Sequence, residues 1–107
     1  MAGETIKQHI VKPLRSGRLM VTPEQVIAII NELANVPERF KASDLVSALP
    51  GDDYPLQQEI LNRLMQRWRK LGLCVFDSGG RWRLTTNGWP TMQAAIRAYH
   101  ATQEPRP

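Results

Sequence analysis

Trp68-Arg69-Lys70-Leu71-Gly72-Leu73-Cys74-Val75-Phe76-Asp77-Ser78-Gly79-Gly80-Arg81-Trp82-Arg83-Leu84-Thr85 is the stretch that decides how this chain folds. It reads as a helix end, a reversal and a hairpin in direct succession. Gly72 follows a basic helical turn, where a residue without Cβ takes the left-handed backbone of a helix C-terminus at least cost. Leu73 to Phe76 are β-prone, and Asp77-Ser78-Gly79-Gly80 is a turn cluster. Arg81 to Thr85 then alternate polar and apolar, which predicts a half-buried strand with Trp82 and Leu84 inward and Arg81 and Arg83 in solvent. Asn87-Gly88 closes the unit.

The helix that ends near Leu71 begins after Asp52-Asp53, either of which can cap it, with Tyr54-Pro55 at its entry. Leu56, Ile60 or Leu61, Leu64, Met65 and Trp68 form its apolar face. Gln58, Glu59, Asn62, Arg63, Gln66, Arg67, Arg69 and Lys70 fall largely outside that face. A short helix is expected over residues 42–49, with Ala42, Leu45, Val46 and Leu49 on one side and Pro50-Gly51 as its stop. A longer first helix is expected over residues 22–35. Thr22 is its N-cap, Pro23 its first residue, and Gln25 completes a capping box. Val26, Ile30 and Leu33 give it one buried stripe, which Ile27, Ile29 and Ala34 widen. Val36-Pro37 ends it.

The flanks are read as follows. Residues 1–21 form an N-terminal arm or short helix: Ile6 and Ile10 have weak helical spacing, which Pro13 and Ser16-Gly17 interrupt. Residues 22–88 form the domain, residues 89–102 a last helix with Met92, Ala95, Ile96 and Tyr99 on one face, and residues 103–107 a disordered Pro-rich tail. The expected class is α+β and mainly helical.

The order is helix, short helix, long polar-faced helix, then a hairpin with a Gly-rich tip. In this order, and in the step from Trp68-Arg69-Lys70-Leu71-Gly72-Leu73 to Arg81-Trp82-Arg83-Leu84-Thr85, residues 22–88 resemble the winged helix-turn-helix superfamily. The resemblance implies a three-helix core, a two-stranded β-hairpin wing and a C-terminal helix, and it implies DNA binding. A helix that enters the major groove needs one apolar face to dock and one polar face to read. Gln58, Asn62 and Arg63 lie on the polar face near its N-terminal half, where Asn and Gln can pair with adenine and Arg with guanine. Gln66, Arg67 and Arg69 lie further along and suit phosphates. The resemblance adds Arg81 and Arg83, which flank the tip of the wing.

Charge distribution points the same way. The net charge is +4 overall, but residues 1–21 carry +3, residues 22–54 carry −4 and residues 55–87 carry +4. Such asymmetry suggests a surface that faces a polyanion. The acidic connection Asp52-Asp53 cuts against a simple DNA reader, since a duplex phosphate would repel it. Two functions are therefore carried forward. One is a small transcriptional regulator or DNA-transaction accessory factor that binds double-stranded DNA. The other is a winged-helix module that docks a protein partner without touching DNA. The stripe Met92, Ala95, Ile96 and Tyr99 suits either the domain's own core or a second copy, and a homodimer through the last helix is favoured because DNA readers often double their contacts.

Other chemistry has little to stand on. No Ser/His/Asp set, Gly-rich phosphate loop or carboxylate pair with a defined partner is present, so neither an enzyme nor a cofactor is expected. His9 and His100 are far apart in sequence, and Cys74 is the single cysteine, so no metal site is expected. Cys74 falls in an apolar strand and reads as an inert thiol. Trp68 and Trp82 read as core, whereas Trp89 suits either the hairpin or a partner surface. With no signal peptide, no apolar run long enough to span a bilayer and one cysteine, the expected location is the cytoplasm, away from any membrane.

Overall fold

The structure, a computed structural model, describes residues 6–77 and 79–103, without the side chains of residues 6 and 7. Of the tail expected over residues 103–107, Gln103 is the last residue of the final helix and residues 104–107 lie outside the described residues. The fold is α+β and mainly helical, with two separate antiparallel sheets of two strands each. Its elements are α1 (Ile6–Ile10), β1 (Leu14–Ser16), β2 (Leu19–Val21), α2 (Pro23–Glu32), α3 (Tyr54–Lys70), β3 (Cys74–Phe76), β4 (Trp82–Leu84) and α4 (Gly88–Gln103).

α2 starts where its capping residues place it. The Thr22 hydroxyl accepts from the Gln25 N–H at 3.2 Å, and the Gln25 side chain accepts from the Thr22 N–H at 2.8 Å. A cap of this kind is worth about 1 kcal/mol. Val26, Ile27, Ile29, Ile30 and Leu33 are buried, while Ala34, expected on the same stripe, is exposed. The α-helix ends at Glu32 and tightens into a 3₁₀ turn over Leu33–Asn35. The short helix is 3₁₀ throughout, over Ala42–Ala48. Ser43, Asp44, Val46 and Ser47 are weak helix formers, so little favours the longer hydrogen-bonded ladder of an α-helix here.

α3 is capped by Asp53, whose Oδ1 accepts from the Leu56 N–H at 3.3 Å. Its other end closes with Gly72 at φ +79°, the Leu73 N–H bonding the Trp68 carbonyl and the Gly72 N–H the Arg69 carbonyl. This paired pattern satisfies carbonyls that the helix end leaves open. It also turns the chain into β3, which pairs with β4 in the register Cys74↔Leu84, Val75↔Arg83 and Phe76↔Trp82. Trp68 and Trp82 are buried and Trp89 is half-buried. Phe40, between α2 and the 3₁₀ segment, adds a single bridge to β4: its N–H and carbonyl both bond Trp82, at 2.9 and 2.7 Å.

The N-terminal segment is more than the arm or short helix read from the sequence. α1 occupies five residues, and β1 and β2 form a second hairpin in the register Leu14↔Val21, Arg15↔Met20 and Ser16↔Leu19. Gly17 takes φ +57° at the first central position of its two-residue turn, the place a type II′ hairpin reserves for glycine. β1 packs on α3, and α1 packs on α4. Met92, Ala95 and Ile96 of α4 are buried in the chain's own core, and the Tyr99 hydroxyl donates to the Glu24 carboxylate of α2. Of the two roles open to this stripe, packing on the chain's own core is the one these three residues take.

Gly88 starts α4 where no Cβ fits. A Cβ there would stand 2.2 Å from the Leu73 carbonyl oxygen and 3.3 Å from the Leu84 Cβ. Gly88→Ala is expected to destabilise the fold by about 1–3 kcal/mol, as overpacking does. A lowered midpoint in urea, with unchanged slope, is the outcome to look for.

Candidate nucleic-acid interface

α3 is the element that positions the site. It buries Gln57, Ile60, Leu61, Leu64, Met65 and Trp68 and leaves Glu59, Asn62, Arg63, Gln66, Arg69 and Lys70 exposed. β1 of the first hairpin and β3 of the second both pack on α3, and the strip borders Leu14 of the one and Val75 and Phe76 of the other. Its acidic end carries Glu59 and, just before the helix, Asp52, both exposed, whereas its C-terminal end carries Arg69 and Lys70.

The residues expected to contact DNA meet different fates. Gln58 is half-buried rather than exposed, and its Oε1 is enclosed with no donor among the described residues. Arg63 is exposed but directs its guanidinium to the Arg15 carbonyl of β1, at 2.5 Å. Arg67 is half-buried and donates to the carbonyls of Lys12 at 2.6 Å and of His9 and Pro13 at 3.5 Å. These two arginines fasten the N-terminal segment to α3. Next to Arg67, the Trp68 Nε1–H donates to the Ile10 carbonyl at 3.2 Å. Asn62 and Gln66 are exposed, and the Arg69 Nε–H donates to Gln66 Oε1 at 2.8 Å. Arg83 is exposed on β4, while Arg81 is half-buried beside the turn. Asn62, Arg63, Gln66 and Lys70 share one groove with His9 and Leu14, of about 470 Å³. No carboxylate lines it.

The acidic connection before α3 is partly neutralised. Asp53 caps the helix and also pairs with Arg18, at the β1–β2 turn, at 3.1 Å. Gln57, buried one turn into α3, donates its amide to the carbonyls of Pro50 and Gly51 at 3.0 and 2.9 Å. It holds the long turn against the helix.

The turn of the second hairpin is organised by Asp77. Its Oδ1 accepts from the N–H groups of Gly79 and Arg81, and its Oδ2 from Arg39 at 2.7 Å. Desolvation pushes its carboxyl upward, but the bonds from Arg81, Arg39 and Gly79 outweigh that and hold its pKa below the usual carboxylate value. Cys74 is buried and its thiol is pushed up to about 12 by desolvation, which keeps it a thiol at neutral pH.

Sequence reasoning missed Gln57, the pairing of Arg18 with Asp53, and Phe40. Gln57 carries no sequence signal, because a polar residue beside a helix cap reads as solvent-facing. Phe40 could have been found: Arg39-Phe40-Lys41 alternates as a strand does. Among the described residues no group of three or more His, Cys, Asp or Glu side chains could hold a metal, and no helix is long and apolar enough to cross a membrane.

Comparison with protein-family models, with curated proteins and with solved structures finds no match to this chain.

Two outcomes check this geometry. Arg67→Met removes the donor to three carbonyls and is expected to loosen β1–β2 by about 1 kcal/mol. Hydrogen exchange at the strand amides should rise there and stay unchanged in β3–β4. Asp77 has a lowered folded pKa, so its contribution is present above the unfolded carboxylate value, about 4, and is lost as pH falls through the folded one. Exchange at the Gly79 and Arg81 amides is therefore expected to climb below about pH 4, and Asp77→Asn should flatten that response.

Proposed function

We propose that this chain is a winged helix-turn-helix domain that binds duplex DNA, with α3 in the major groove and the β3–β4 turn against the backbone. The Phe40–Trp82 bridge supports the fold assignment. It places one bridged residue between the first and second helices, where a winged sheet has a further strand, so the order approaches helix, strand, helix, helix, hairpin. The observation that carries the function is the exposed strip of α3, which ends in Asn62, Gln66, Arg69 and Lys70; Arg83, also exposed, lies on β4 opposite Val75.

The proposed contact is sharper than the sequence reading. Arg63 and Arg67 hold the N-terminal segment, Gln58 is half-buried, and Glu59 and Asp52 sit at the N-terminal end of the strip. Phosphate repels that end and favours the other. Base reading then falls to Asn62 and Gln66, and backbone contacts fall to Arg69, Lys70, Arg81 and Arg83. The role is that of a small regulator or an accessory factor in a DNA transaction.

The test is a mobility-shift titration with random and genomic duplex at two salt concentrations. The expected result is a shift that weakens steeply with salt. Lys70→Ala and Arg83→Ala are each expected to lower binding to all sequences and to reduce the salt slope by about 1. Asn62→Ala is expected to relax sequence preference, by about 1–3 kcal/mol at its base pair. Absence of any shift at low salt overturns the reading. A second reading, docking of a protein partner, is favoured by an apolar groove of about 550 Å³ that Val11, Pro13, Pro23, Ala95 and Ala98 help to line. A partner retained after nuclease treatment, with no nucleic acid retained, supports that reading instead.

A further inference from the structure

Among the described residues, Met20, Tyr54 and Phe76 are the large apolar side chains left exposed. Met20 lies on β2 and Tyr54 at the start of α3, next to the acidic connection. Phe76 differs in its setting. It lies on β3 beside the basic half of α3, 54% exposed. Its ring leans on the Trp82 indole, with centroids 4.7 Å apart and planes inclined by 59°. That contact fixes the ring's orientation and still leaves more than half of the side chain to water.

Phe76 and Val75 form one wall of a shallow depression of about 430 Å³, and Gln66 and Arg69 of α3 form the other. The Arg69 Nε–H bond to Gln66 Oε1 ties the two polar side chains together. It occupies the acceptor of the glutamine and one donor of the arginine. The Gln66 amide N–H groups and the other guanidinium N–H groups have no partner among the described residues. The depression thus offers an oriented aromatic face, several hydrogen-bond donors and one positive charge, with no carboxylate in its lining.

The matching ligand is flat, rich in acceptors and anionic nearby. A nucleobase on its phosphate backbone has each property: a π-face, carbonyl and ring-nitrogen acceptors at its edge, and a negative charge beside it. A paired base inside a duplex has both faces covered by its neighbours, so only an unpaired one can offer a face to Phe76. We propose that the depression between α3 and β3 is a site for one unpaired nucleobase, with Phe76 stacking on it and Gln66 and Arg69 donating to its polar edge. This rests on the duplex-binding reading, since Gln66 and Arg69 also belong to the duplex contact, and it adds a preference for duplexes that carry an unpaired nucleotide.

The test is a fluorescence-anisotropy titration of the full chain with two probes. One is a blunt duplex, and the other is the same duplex with a bulge of unpaired thymines. One stacked base is worth about 1–3 kcal/mol, so the bulged probe should bind roughly 5- to 160-fold more tightly. Phe76→Ala should remove that gain and leave blunt-duplex binding unchanged. Phe76→Trp should keep the gain, and Phe76→Leu, which still covers Trp82 but has no π-face, should lose it. Circular dichroism melting of each variant checks folding. Equal binding of the two probes by the wild-type chain overturns the base site and leaves duplex binding standing. So does a wild-type-like gain in Phe76→Leu, or equal weakening of both probes by Phe76→Ala. Failure of the wild-type chain to bind either probe overturns both readings.

Discussion

The arrangement depends on one face of α3 donating hydrogen bonds to the backbone of the N-terminal segment. Trp68 is the centre of it. Its indole is wholly buried and its N–H reaches the Ile10 carbonyl, so its apolar mass and its polar tip are both satisfied. Arg67 and Arg63 repeat the bond further along the segment, at the Lys12 and Arg15 carbonyls. Guanidinium groups suit this task, because their planar array of donors can serve several carbonyls at once. With the N-terminal segment fastened there, α1 meets α4, and α4 is tied to α2 through Tyr99 and Glu24. Burial of the α4 stripe follows from that closure.

The same bonds decide which part of α3 remains available. The helix buries one face and shares its flanks with two hairpins, and only a narrow strip stays in water. Charge on that strip is graded, acidic at the start and basic at the end. The positive end of the strip is therefore the one next to the second hairpin, at Arg69 and Lys70. Asp77 stiffens that hairpin by collecting bonds from two backbone N–H groups and Arg39, and Gln57 and Asp53 stiffen the entry to α3.

Much of the fold is legible in the sequence where local rules agree. Thr22-Pro23-Glu24-Gln25 start a helix by capping chemistry alone, and Gly72 ends one, because these signals act over a few residues. Trp68, Trp82 and Cys74 read as core from periodicity, and they are buried. The first hairpin was not legible: strands of three residues are too short to show alternation, and Gly17 reads equally well as a break. The candidate site was legible only as a list of polar residues on one helix face. Which of them stay in solvent depends on partners far along the chain. Nothing local distinguishes Arg67, bonded to residues more than fifty positions away, from Arg69, bonded to Gln66 one turn back.

That sequence separation has a consequence for how the chain is made. The carbonyls of Ile10, Lys12 and Arg15 emerge from a ribosome first, but their donors lie 58, 55 and 48 residues later. At about 5–20 residues per second, the opening segment waits several seconds for them. Residues 22–88 can assemble from contacts between neighbouring elements, and closing the longest loop carries an entropy cost that is met only once α3 exists. The segment from Ile10 to Arg15 is thus made before α3 but seated only after it, and it stays open to proteases or chaperones until then.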